Sequence, residues 1–168
     1  MTPVIESLFD EADSRYLKNP VLKEVTTYVA SLNERVSAYR LMRDRELKIM
    51  QTVADHLTVS LPNESISRLE QTLKMALLIL RHSSMAMLME DANYLEERFL
   101  PYLRETQEIH ATESVDALLY PELRNQLSQL FNDRQLALLT PYLDQAQRVL
   151  TSNAVDVDES LLTMSGMF

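Results

Sequence analysis

A chain of 168 residues, 46% hydrophobic and 24% charged, falls in the size range of one domain with one core, and those proportions exclude a disordered or low-complexity protein. A single glycine argues against a sheet built on tight glycine turns and leaves helices. The formal charge of −9, with 16 Lys+Arg against 25 Asp+Glu, disfavours nucleic acid, and the absence of cysteine excludes disulfides, thiolate metal sites, a cysteine nucleophile and any thioether to a tetrapyrrole.

Thr2-Pro3 with Glu6 in the first turn reads as a helix start, and Val4, Ile5, Leu8, Phe9 and Ala12 continue at helical spacing through Arg15-Tyr16-Leu17. No basic segment followed by an apolar one precedes it, so a cytoplasmic location is expected. Asn19-Pro20 breaks this helix and offers a second start, with Asn19 as cap and Pro20 at the first helical position. Val21, Leu22, Val25, Tyr28, Val29 and Leu32 then trace one face, and the pattern runs on through Val36, Tyr39, Ile49, Val53 and Leu57. One helix over that distance exceeds the usual length, so a bend is expected at Ser31-Leu32-Asn33, giving two helices.

Leu61-Pro62-Asn63 ends the second of them, and Asn63 or Ser65 caps the next. Its apolar positions crowd so densely from Leu69 to Met89 that it must be covered on most sides, which makes it the central helix. Arg81-His82-Ser83-Ser84 interrupts that run, which falls short of a membrane span. Asp91-Ala92-Asn93 marks a turn, Tyr94–Glu108 another helix, and Thr112 or Ser114 a cap for the segment ending near Phe131. Asn132-Asp133 caps a last helix with a kink or break at Pro141 and an end near Leu150. One domain is therefore expected over residues 1–150, and Thr151–Phe168 reads as a loosely held tail.

Candidate sites are few. His56, His82 and His110 are the soft-donor candidates for a metal or haem, and no two sit at the spacing of a shared helical face. His82 lies on the central helix, where a globin-like pocket would be lined, though a helix histidine at a subunit or solvent boundary is the more ordinary role. Met85, Met87 and Met89 suit either an adaptable pocket or a core. Glu90-Asp91 and Glu96-Glu97 have no histidine or serine partner in an acid/base arrangement and read as a solvated face. The nucleotide-loop, zinc and hydrolase-elbow patterns need glycines or cysteines that this chain lacks, so no enzyme activity is expected and no metal site is assigned.

Several short motifs in a shared order carry a resemblance. Glu11-Ala12-Asp13-Ser14-Arg15-Tyr16-Leu17 is similar to the acid-x-x-x-Arg/Lys-Tyr-Leu signature that ends the overhanging helices of phycobiliproteins, the subunits of the phycobilisome antenna of cyanobacteria and red algae. Leu22, Tyr28-Val29, Ser31 and Arg35 follow the same pattern without a gap. Leu80-Arg81 falls where that family has the Leu-Arg of its central helix, and Glu90-Asp91 where it has Gly-Asp. Leu95-Glu96-Glu97-Arg98, Arg104-Glu105 and Tyr142-Leu143-Asp144 resemble its later helices, so the likeness runs from Leu8 to Leu150.

The resemblance implies an all-α, globin-like helical bundle with an N-terminal helical overhang, as in phycocyanin and allophycocyanin. It also implies a bilin pocket on the central helix, where the family's attachment cysteine and its Arg-Asp pair are replaced by Thr72, Lys74 and Met75. A thioether link is chemically excluded, and the carboxylate that holds the pyrrole nitrogens has become an uncharged thioether. A remnant pocket at Thr72, Lys74, Met75 and His82, empty of cofactor, is thus expected, with noncovalent tetrapyrrole binding left open. The family's pairing contact, an overhang acid facing an arginine on the partner's central helix, is represented by Glu11 and Arg81, with Arg15, Tyr16 and the apolar Val4, Ile5, Leu8 and Phe9 beside it. The reading that follows is a chromophore-free, non-catalytic phycobiliprotein-like protein. It would pair with itself or with phycobilisome subunits, in the cytoplasm at the thylakoid-surface antenna, in assembly, turnover or regulation. A noncovalent bilin or haem carrier and a globin-like stress-signalling domain are the alternatives.

Overall fold

From Asn19 the chain forms one uninterrupted helix of 42 residues, α1 (Asn19–Ser60). The computed structural model describes residues 19–109 and 113–164, with side chains described for 20–106 and 115–150. Five further helices follow: α2 (Ile66–Met89), α3 (Asn93–Arg98), α4 (Leu100–Ile109), α5 (Glu113–Leu130) and α6 (Asp133–Met164). No strand occurs among the described residues, in keeping with the all-α expectation. The opening helix read over Val4–Leu17 lies outside them.

The bend expected at Ser31-Leu32-Asn33 is not there, and the reason is local. No proline or glycine lies between Val21 and Leu61, and hydroxyls able to divert the backbone are turned back onto it. Thr26 donates to the Leu22 carbonyl at 2.7 Å, Thr27 to Lys23 at 2.9 Å and Ser31 to Tyr28 at 2.9 Å. At 1.5 Å per residue α1 is roughly 60 Å long, about twice the width of a small domain, so its first part stands clear of the core. From Pro20 to Glu34 no residue is buried.

Arg35 ends that free stretch. Its guanidinium is 1% exposed, donates to the Leu88 carbonyl at 3.0 Å and the Tyr28 carbonyl at 3.2 Å, and lies 3.1 Å from the Glu90 carboxylate. It also sits 4.5 Å from the centre of the Tyr28 ring. The residue thus fastens α1 to the far end of α2 through groups that would otherwise be buried and unpaired.

Leu61 donates back to Leu57 at 2.8 Å, Pro62 stops the helix, and Ser65, in extended conformation, caps α2 by accepting from the Arg68 amide at 3.3 Å. α2 packs against α1, α3, α5 and α6, the central position its composition calls for. Its buried face runs through Thr72, Ala76, Ile79, Leu80, Ser83, Ala86 and Met87, at steps of three and four. α2 ends in a left-handed residue, Glu90 at φ 55°, with Glu90 donating to Met87 at 3.1 Å and Asp91 to Ala86 at 3.0 Å. That backbone state costs a side-chain-bearing residue on the order of 1 kcal/mol. It also aims the Glu90 carboxylate at Arg35, which offsets the cost.

The single helix expected over Tyr94–Glu108 is two, divided at Phe99. Pro101, in the first turn of α4, has no amide to give the preceding turn, and Phe99 takes up a non-helical backbone that drives its ring into the core, 2% exposed. Ser114 lies inside α5 instead of capping it, and Thr112 is outside the described residues. Asn132 caps α6 reciprocally: its side chain accepts from the Gln135 amide at 2.9 Å, and the Gln135 side chain accepts from the Asn132 amide at 3.3 Å. Pro141 sits within α6, as Pro121 does within α5, and breaks neither helix. Nor does α6 stop near Leu150: with no proline or glycine from Tyr142 to Met164, residues 151–164, read from sequence as a loose tail, continue its helical backbone. One cluster of buried side chains, drawn from all six helices, fills the interior.

Candidate functional site

Three turns of α2 carry the residues singled out from sequence, and their surroundings change sharply along it. Thr72 is 2% exposed and its hydroxyl donates to the Arg68 carbonyl at 2.9 Å, so this polar atom is already satisfied. Lys74 projects into solvent with its ammonium 3.8 Å from Glu70. Met75 packs on the core. Thr72 and Met75, three residues apart, share one side of the helix and Lys74 lies on another, and none of the three lines the cleft that opens at His82.

His82, two turns further on, does open into a cleft of about 320 Å³ between α1, α2 and the start of α3. Tyr39, Arg43 and Glu46 line it from α1, Arg81, His82 and Met85 from α2, and Tyr94 from α3. The His82 ring lies flat on Phe99, 4.3 Å between centres and 9° between planes, and its Nδ1 is 3.3 Å from the Tyr94 hydroxyl. Burial pushes the His82 pKa below its ordinary value, so the neutral imidazole prevails at neutral pH. Nδ1 is engaged by Tyr94, while Phe99 covers one face of the ring. His56 is exposed on α1, and His110 lies outside the described residues.

Arg81 forms the cleft's charged rim. Its Nε donates to one Glu46 carboxylate oxygen at 2.9 Å and its Nη2 to the other at 2.6 Å, a bidentate pair within the chain. The arginine side chain is 53% exposed and the glutamate 17%. Hydrogen bonding to Arg81 holds the Glu46 carboxyl below the usual carboxylate range and raises Arg81 in turn. Arg81, expected to meet an acid from another chain, thus holds an acid of its own chain. Glu11, Arg15, Tyr16, Val4, Ile5, Leu8 and Phe9, the rest of the expected pairing surface, lie outside the described residues.

Glu46 and Arg43 are absent from the sequence reading and Tyr39 enters it only as part of a helix face, yet a signal for Glu46 exists. α1 and α2 are antiparallel about the Leu61–Ser65 turn, and Glu46 and Arg81 lie nearly equidistant from Asn63 along the chain. Once the turn is recognised, the two residues face each other. The same register brings Arg35 to Leu88 and Glu90.

A second hollow of about 450 Å³ lies between α1, the end of α2 and α6, lined by Arg35, Glu90, Tyr142 and Gln145 among others. Arg35 pairs there with Glu90 through Nη2, and Gln145 donates to the Ala92 carbonyl at 3.4 Å and to Glu96 at 3.1 Å. Among the described residues no cluster of three metal-ligating side chains forms, and no helix is long and apolar enough to cross a membrane.

A search of curated proteins returns no match. The family model for phycobilisome proteins matches residues 7–150, nearly the span over which the motif resemblance runs. With all-α architecture, a central helix covered by its neighbours and that match in agreement, the chain belongs to the phycobilisome protein family, as a phycobiliprotein-like member without a cysteine to bind a bilin covalently.

Proposed function

We propose that the protein is a non-catalytic, chromophore-free phycobiliprotein-like subunit that pairs with itself or with phycobilisome subunits, acting in the assembly, turnover or regulation of the antenna. The observation that carries this reading is the contrast on α2. Where a pigment would be fastened, Thr72 is satisfied and packed, Lys74 is turned to solvent and Met75 is partly buried against the core. Where a partner would be met, Arg81 stands half-exposed on the rim of an open cleft.

A second feature supports association. Leu22, Val29 and Leu32, 46%, 57% and 36% exposed, share a stripe with Val25 on the free part of α1. Such a stripe gains about 25 cal/mol for each Å² of apolar surface that a partner covers. An exposed ion pair contributes only ~0–1 kcal/mol, so the apolar face supplies most of the association energy and Arg81 sets its register.

Sedimentation of the purified full chain, with pull-down from a cyanobacterial lysate, tests the reading. Self-association, or capture of phycobilisome subunits, is the expected result; a strict monomer that captures neither ends it. The cleft supports the carrier reading, because the His82, Tyr94 and Tyr39 rings line a space at the lower end of small-molecule sites. Titration with haem and free bilins decides it: a change in the ligand's visible spectrum that is lost in His82→Ala supports the carrier, and no change at micromolar concentration removes it.

A further inference from the structure

Arg81 is the residue on which two acids converge under the pairing reading: Glu46 of its own chain, and Glu11 of a second copy. The structure settles how the first is held. Glu46 occupies the side edge of the guanidinium, Nε and Nη2, and takes no bond from Nη1, on an arginine whose side chain is 53% exposed. An incoming carboxylate therefore meets an arginine already neutralised by a full charge within hydrogen-bond distance, with half of its planar fork taken.

We infer that Glu46 is an internal competitor for the pairing arginine, a specificity-determining residue that weakens docking of a second copy's Glu11 at this cleft. The inference rests on the pairing reading. Two carboxylates on one guanidinium repel each other, and the cleft's other cation compensates only in part. Arg43 lines the same space, but its guanidinium is bound to Asp44 at 2.9 Å on the open surface. That neighbour pair is solvent-screened, so Arg43 can turn inward to a second acid at little cost, which keeps docking possible while Glu46 attenuates it.

The geometry also says why the competitor is a fixture and not a passing contact. Glu46 and Arg81 are carried by the two helices of one antiparallel pair, α1 and α2, whose register is locked at the far end by Arg35. Both ends of the bridge are therefore positioned before any partner arrives, and no loop has to be ordered to make it.

The test compares the full-length protein with Glu46→Gln, Arg81→Ala and Glu11→Gln by sedimentation equilibrium at low and high salt. Glu46→Gln keeps the shape of the side chain and removes its charge. It is expected to tighten the dimer about fivefold at low salt, the factor set by ~1 kcal/mol of exposed ion pairing, with the gain shrinking at high salt. Combining it with Glu11→Gln should abolish the gain, because the second acid is then gone. A dimer that Arg81→Ala and Glu11→Gln both loosen, but Glu46→Gln leaves unchanged or loosens, overturns the competitor while sparing the pairing. If neither wild type nor Glu46→Gln associates, pairing through a second copy and the competitor fall together. A monomeric wild type that dimerises on Glu46→Gln supports the competitor, and leaves the pairing of the wild type to the capture of phycobilisome subunits.

Discussion

The two halves of α1 are one helix by hydrogen bonding and two by surroundings. From Pro20 to Glu34 no side chain is buried, while from Arg35 onward Ala38, Met42, Ile49, Val53 and Leu57 are all 5% exposed or less. Continuous backbone bonding carries the first half outward, and burial against α2 and α5 fixes the second. A helix of this length needs no tertiary support along its whole course once part of it is anchored, because propagation costs far less than nucleation. The difference teaches that an overhang is made by extending a core helix, without a separate fold to hold it.

Substitutions of one residue type at the two ends put the comparison at risk most directly. Leu57→Ala, at a position with no exposure, is expected to lower unfolding free energy by about 3 kcal/mol in urea titration. Arg35→Met should cost about 2 kcal/mol by the same measurement, since it takes a donor from each of the Leu88 and Tyr28 carbonyls and unfastens α1 at the boundary between the halves. Leu22→Ala, at 46% exposure, should cost no more than about 0.5 kcal/mol. A loss at Leu22 equal to that at Leu57 would mean the free half is part of the core after all.

The smallest effect concerns the cleft. His82 has a depressed pKa when folded, so between that value and its ordinary 6.5 the unfolded chain holds a proton that the folded chain does not. Stability should therefore rise with pH through this window and fall as the medium is acidified below 6.5, and His82→Phe should flatten that part of the profile. Thermal melts across pH 5–7.5 read the slope directly, and an unchanged slope in the variant would place its origin elsewhere.

Much of this arrangement is legible in the residues. Prolines at 20 and 62, the cap at Ser65, the apolar density of Leu69–Met89 and the Asn132 cap locate the helices, because these signals act within a turn of where they stand. Length rules misplace the break in α1: average helix length carries no information about a chain without proline or glycine to stop it. The same holds for the end of α6, where Leu150 is followed by helix and not by a tail. Phe99 shows the opposite error, since a proline two residues ahead divides a pattern that periodicity alone joins. The site is harder. Thr72 is readable as a lost attachment point, but the partner Arg81 finds in Glu46 depends on how two helices face each other, a distance that no local spacing reports.

Glu90, held in a left-handed conformation beside Arg35, bears on the unfolded chain as well as the folded one. Gly166 is the sole glycine in the sequence, so no reversal of direction within residues 1–150 draws on a residue that is free in every backbone state. A denatured chain with a glutamate at this turn samples fewer shapes than one with glycine there, and gives up less disorder on folding. The corner between α2 and α3 thus begins from a narrower search, at the point where the long helix and its partner are tied.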